Sequence, residues 1–174
     1  MTSQTFKNSV SAIVFMAVIS VCNAQNSKMS ELIGKSLSKV QEPTSESVLN
    51  CVAELKRIDA MYPDSVAPKY YAALQSLNYA VTNPQDAQTG TFIAEAEQAI
   101  SKMEELDNAD MSDICTLKGF VYMVRIVQDP AKNGQRYYMQ VLQNFEKALK
   151  LNPDNRMALQ LQDKFTEGMR MVTQ

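Results

Sequence analysis

Along residues 141–155, VLQNFEKALKLNPDN, apolar side chains recur at helical spacing. Val141, Leu142, Phe145, Ala148 and Leu149 line one stripe, while Gln143, Glu146, Lys147 and Lys150 face away from it. Such a segment has one face to bury. Pro153 lacks a backbone N–H and disfavours helical geometry at Asn152, so the chain turns there and restarts behind Asp154 or Asn155, either of which suits an N-cap. The same unit returns upstream. Leu55, Ile100 and Phe145 are spaced by 45 residues, as are Ile58, Met103 and Ala148, and Cys51, Ala96 and Val141; the turn positions Pro63, Asn108 and Pro153 keep the same step. Four triples in one register predict an internal repeat.

The stripes between these units supply their partners. After a polar leader at residues 25–28, Met29, Ile33, Leu37 and Val40 mark a first helix that stops before Pro43. Thr44 or Ser45 then caps a second, with Glu46 at the positive end of its dipole, and Val48, Cys51, Val52, Leu55, Ile58 and Met61 form its buried stripe. Residues 65–82 read as a helix with Pro68 tolerated in its first turn and a stripe of Tyr70, Leu74, Leu77 and Val81. Residues 111–128 carry Ile114, Leu117, Val121, Val124 and Val127; residues 157–172 carry Ala158, Leu161, Phe165, Met169 and Val172. Loops are expected at 84–90 and at 129–136, where Pro, Gly, Asn and Asp gather, and no stretch alternates with period two. The pattern predicts an all-α chain of seven helices, three and a half antiparallel pairs stacked in series.

Residues 144–155 resemble the second helix and closing turn of a tetratricopeptide repeat, with an aromatic at Phe145, a small residue at Ala148 and a proline at Pro153. Gly119 and Tyr122 look like that family's Gly-x-x-Tyr, Leu161 and Phe165 match the start of a further copy, and Cys51, Leu55, Ile58, Pro63, Ala96, Ile100 and Met103 match more weakly. The resemblance covers roughly residues 47–166. The step is 45 where the family's is about 34, and the chain has no Trp. Longer helices and a loop at 129–136 would absorb the difference. The resemblance implies a TPR-like α-solenoid that binds a protein or peptide in the concave groove lined by its first helices. The physics of the shared positions is independent of the name: small Gly119 and Ala148 would allow close approach, and Phe145 would wedge between pairs.

Residues 1–24 read as a signal peptide cleaved after Ala24. Lys7 supplies a positive start, residues 12–21 are apolar, and Cys22-Asn23-Ala24 places small residues before the cut. The apolar run is shorter than the roughly 20 residues that span a bilayer. Lipidation at Cys22 is the rival, but Val21 is larger than that processing wants. The domain is then 25–174, periplasmic or secreted. Without Lys7, 16 basic and 19 acidic residues remain, a net charge of −3 with no basic cluster, so neither nucleic acid nor an anionic membrane is expected as a partner. Cys51 and Cys115 each sit on an apolar stripe, and two buried free thiols are expected.

The chain contains no His, which removes His-dependent triads, Cys-His dyads and His metal sites. Its five glycines form no phosphate-binding loop or nucleophile elbow. Glu104, Glu105, Asp107, Asp110 and Asp113 lack EF-hand spacing and read as a solvated turn, and the methionines mostly lie on apolar stripes as gap filler. No cofactor, no metal and no catalysis are expected. The candidate binding residues are Tyr70, Tyr71, Tyr122 and Arg125 on the first-position helices: Tyr71 and Arg125 as groove residues, Tyr70 and Tyr122 as groove or inter-repeat packing. Tyr137 and Tyr138 are expected to pin the preceding loop. The alternative function is a structural subunit that docks into a cell-envelope assembly through its convex or edge surface.

Overall fold

A computed structural model describes the backbone of residues 24–172 and the side chains of residues 27–170. The expected signal peptide, apart from Ala24, lies outside the described residues. Among those residues the chain is all-helical: α1 (Ala24–Ser38), α2 (Ser45–Met61), α3 (Val66–Thr82), α4 (Thr89–Glu104), α5 (Met111–Gln128), α6 (Pro130–Leu151) and α7 (Arg156–Val172). Each helix packs on the next, and α3 also packs on α5, and α5 on α7. That places α3 and α5 in the middle; α5 is buried on nearly every side, through Ile114, Leu117, Phe120, Val121, Met123 and Val124.

The helix starts follow from local chemistry. Thr44 and Ser47 form a reciprocal capping box, Ser47 N donating to Thr44 Oγ1 at 3.1 Å and Thr44 N to Ser47 Oγ at 3.0 Å. Asn155 caps α7 by accepting from Ala158 N at 3.0 Å. Two expectations at helix starts are overturned. The polar leader 25–28 is already helical, because nothing in it breaks a helix and polar residues in a first turn need no burial. The loop expected at 129–136 is the start of α6: Pro130 occupies the first helical position, where its missing N–H costs nothing, and the Asp129 carboxylate accepts from Lys132 N at 3.1 Å. Asn133 Nδ2 donates to Arg125 O at 2.7 Å and ties that turn to the end of α5.

The 45-residue register is realised in the core. Leu55, Ile100 and Phe145 are buried, and so are Ile58, Met103 and Ala148, and Cys51, Ala96 and Val141. Met61, expected at the end of the α2 stripe, is instead 57% exposed, as the last helical residue before the Tyr62 C-cap. Cys51 and Cys115 are free and buried.

Two buried polar clusters tie the layers. The carboxylate of Asp59 (α2) takes Lys69 Nζ (α3) at 2.6 Å and Lys102 Nζ (α4) at 2.9 Å, while Lys69 also donates to Pro63 O and Ser65 O across the α2–α3 turn. Asn155 Nδ2 donates to Ser112 Oγ at 2.9 Å and Asp113 Oδ1 at 3.0 Å, and Ser112 Oγ donates to Ala148 O at 2.9 Å. One asparagine thus joins the start of α5, the end of α6 and the start of α7, and satisfies donors and acceptors whose isolation would each cost about 1–3 kcal/mol.

Candidate functional site

The four sequence-derived residues fall into two separate pairs. Tyr70 is largely enclosed. Its hydroxyl donates to Met157 Sδ at 3.2 Å, and its ring meets Tyr71 edge-on with centroids 5.5 Å apart. Burial first, then the charge of Asp113 and the neighbouring Tyr71, pushes the Tyr70 hydroxyl well above its ordinary pKa, so it stays protonated. Tyr71 is half-buried, and burial raises its pKa as well.

Tyr122 lies nine residues beyond Asp113 on α5, about 13 Å of helix rise away. Its ring stacks on Tyr137 of α6 with centroids 5.4 Å apart and planes 28° from parallel. Arg125 Nη2 donates to Glu97 Oε1 of α4 at 2.7 Å, and its guanidinium lies 5.9 Å from the Tyr137 centroid; Arg136 lies 5.0 Å from the same ring. Among the described residues no hydrogen bond or ring contact joins the two pairs. Tyr137 and Tyr138 are not loop pins: both sit inside α6, one against Tyr122 and the other against Phe165.

An open feature lies elsewhere. Between the first half of α6 and the second half of α7 lies a cleft of about 610 Å³, walled by Tyr138, Met139 and Leu142 on one side and Phe165, Met169 and Arg170 on the other. Its volume falls in the usual 300–1,000 Å³ range of ligand clefts. Gly134 leaves its mouth open, with nothing within 4 Å of where a Cβ would stand. At the floor Tyr138 leans on Phe165, centroids 5.6 Å apart, and at the rim Met139 is 53% exposed. A loop at 129–136 would leave this face without a helical register. Once α6 starts at Pro130, Gln135, Tyr138, Met139 and Leu142 fall on one side, and that spacing was the signal available.

A second surface runs along the turns that lead out of α2, α4 and α6. Asn108 Nδ2 donates to Asp64 O at 3.2 Å, joining the first turn to the second, and Asn155 joins the third turn to the start of α5. Met61 and Leu151 stand in the same register at the ends of α2 and α6, 57% and 52% exposed, and Met111 at the start of α5 is 45% exposed. Asp64, Glu105, Asp107, Asp110 and Asp154 lie in or beside the same turns along the chain.

Burial first, then the Glu54 carboxylate, pushes the Cys51 thiol up to about 11, and burial also raises that of Cys115, so both remain unreactive thiols. Among the described residues no three His, Cys, Asp or Glu side chains are grouped to hold a metal ion, and no helix is long and apolar enough to cross a membrane. No protein-family model, curated protein or solved structure matches the chain.

Proposed function

We propose that the chain is a non-catalytic, TPR-like helical repeat module of the periplasm or cell exterior that binds a segment of another protein. The observation that carries this reading is the α6–α7 cleft, an apolar, aromatic- and methionine-lined surface held open between two helices. Tyr and Met are over-represented at such contact surfaces, the first because it buries area at low entropic cost and the second because it adapts to the partner. The 45-residue register of buried positions supports stacked helix pairs, since one pair alone cannot bury both its faces. The absence of His from the sequence and the raised thiol pKa values of the buried Cys51 and Cys115 support a binding role over His- or Cys-dependent catalysis.

The test is affinity capture from an envelope extract with wild type and with two variants, Met139→Glu and Tyr71→Ala/Arg125→Ala, followed by direct titration of the purified partner. Loss of binding with Met139→Glu supports the cleft; loss with the double variant alone returns the site to the first-helix stripe.

One observation favours a second reading, a structural subunit docked by its edge. Residues 61–66, 104–113 and 151–156 hold seven of the 19 acidic residues and one of the 16 basic residues that follow Lys7, so the rest of the chain is net basic. An acidic edge studded with exposed Met61, Met111 and Leu151 suits a basic surface on a larger assembly. A partner that survives both variants and is lost with Met61→Glu/Leu151→Glu would establish it.

A further inference from the structure

We propose that Asn133 is a site of spontaneous deamidation, and that its conversion releases the first turn of α6 from the end of α5. This is independent of any binding role. Asn133-Gly134 is the only Asn-Gly pair in the sequence. Gly has no Cβ, so its backbone nitrogen is the least hindered that can follow an asparagine, whose amide is among the thermally labile side chains. The reaction needs only water. The Gly134 nitrogen bonds to Asn133 Cγ, the bond from Cγ to Nδ2 breaks, and the amide leaves as ammonia, carrying the proton that Gly134 gives up. Water then opens the resulting cyclic imide at either carbonyl. One opening leaves aspartate at position 133; the other leaves iso-aspartate, with the chain running through the side-chain carbon.

The native structure holds the two reacting groups apart. The Gly134 N–H belongs to the α6 ladder, four residues on from Pro130, and Asn133 Nδ2 is occupied by Arg125 O at 2.7 Å. What keeps them there is confined to one turn. Asn133 N donates to Asp129 O at 2.9 Å and the Asp129 carboxylate accepts from Lys132 N, while none of residues 130–136 is buried. The first buried side chain of α6 is Val141, so the turn opens without disturbing the core, from the low-stability end of the molecule. Closure is not recovered after conversion. Arg125 O keeps Asp129 N, at 3.3 Å, but a carboxylate at position 133 meets that carbonyl as a second acceptor. It also stands four residues from the Asp129 carboxylate, a repelling spacing on a helix. Lys132 and Arg136, the nearest cations along α6, can neutralise the new charge but do not replace the lost amide donor. Iso-aspartate adds a carbon to the backbone, which throws the Gly134 N–H out of step with the ladder.

The experiment is incubation of the purified protein at mildly alkaline pH, with peptide mapping by mass spectrometry and hydrogen exchange on the aged sample. Asn133 is expected to convert first among the asparagines of the folded chain. It should do so at least about tenfold more slowly than in the urea-unfolded chain, because the rate is scaled by the fraction of open turns. Asp129→Ala removes the cap and should speed conversion of the folded protein about fivefold, the size of one lost cap, without speeding it in urea. Gly134→Ala places its methyl in open space, and should suppress conversion in both states without lowering the melting midpoint. The aged protein should lose exchange protection over residues 130–136 and keep it from Val141 onward, and Asn133→Asp should reproduce part of that loss. Equal rates in the folded and unfolded chain would overturn the control by the turn. A folded-state rate that follows global unfolding and ignores Asp129→Ala would overturn the local opening. Converted protein with native protection over 130–136 would overturn the release, and earlier conversion of another asparagine would overturn the site.

Discussion

Gly119 of α5 lies directly under the ring of Phe145 of α6. A Cβ built on Gly119 would stand 2.6 Å from Phe145 Cε1 and 2.8 Å from Cδ1, closer than real Cβ contacts come. Phe145 is fully buried and cannot swing away without leaving the core. Gly119→Ala should therefore destabilise the protein by about 1–3 kcal/mol through overpacking, despite the helix-propensity gain of roughly 1 kcal/mol. Phe145→Ala should cost about 3–5 kcal/mol. The double variant should cost less than the two singles combined, because removing the ring makes room for the new methyl. Urea midpoints of the four proteins decide it; a neutral Gly119→Ala would mean that the helices separate freely here.

Asn155 holds three helix ends together. Asn155→Ala removes the α7 cap and strips Asp113 and Ser112 of a buried partner. The expected loss is about 2 kcal/mol, more than the typical cap cost of ~1. Hydrogen exchange should localise the loosening to α7. Uniform loss of protection along the whole chain would count against this role.

Asp59 and Asp113 should respond to pH with opposite signs. Burial works against the charge on Asp59, but the hydrogen bonds and charges of Lys69 and Lys102 outweigh it and hold its pKa below the ordinary value. Its contribution is present above the unfolded carboxylate pKa, near pH 4, and is lost as pH falls through the lower folded value. Burial first, then Asp110, raises the pKa of Asp113 against a lowering from Asn155, so its charge is a burden at neutral pH that fades as pH falls toward 4. Asp113→Asn keeps the acceptor for Asn155 and should raise the melting midpoint at pH 7 but not at pH 3. Lys69→Met should lower stability by about 3 kcal/mol at pH 7, because it strands Asp59 with one partner fewer, and by less at pH 3.

Both thiols should be silent in the native state. Cys51 is 2% and Cys115 3% exposed, and both have raised pKa values, so a disulfide-exchange reagent at pH 8 should react only as fast as the protein opens. Even one rapid equivalent without denaturant would place a thiol at the surface and refute this.

What the chain itself determines is local. The 3.6-residue period, the prolines at 43, 63, 84, 130 and 153 and the capping side chains decide where helices run, because each acts within a turn or two of its own position. The repeat register belongs to the same class: residues 45 apart in equivalent stripes, Leu55, Ile100 and Phe145, are all buried. Two local signals misled. Pro130 and Gly134 look like breakers, yet a proline at the first helical position continues a helix, and which role it plays depends on whether Asp129 is free to cap. Met61 carries the stripe's spacing, but a stripe says which side is apolar and not how far the neighbouring helices extend to cover it.

The candidate site was the least legible part for the same reason. Tyr70, Tyr71, Tyr122 and Arg125 sit on the helices expected to line a groove, but whether a side chain on such a helix is open or filled depends on its neighbours in space. Tyr70 is closed by Met157, 87 residues away in sequence, and Arg125 is held by Glu97. Only the tertiary structure decided that α6 and α7 part at one end to leave Met139 and Phe165 facing a cleft, because the gap between two helices is set by every side chain wedged between them.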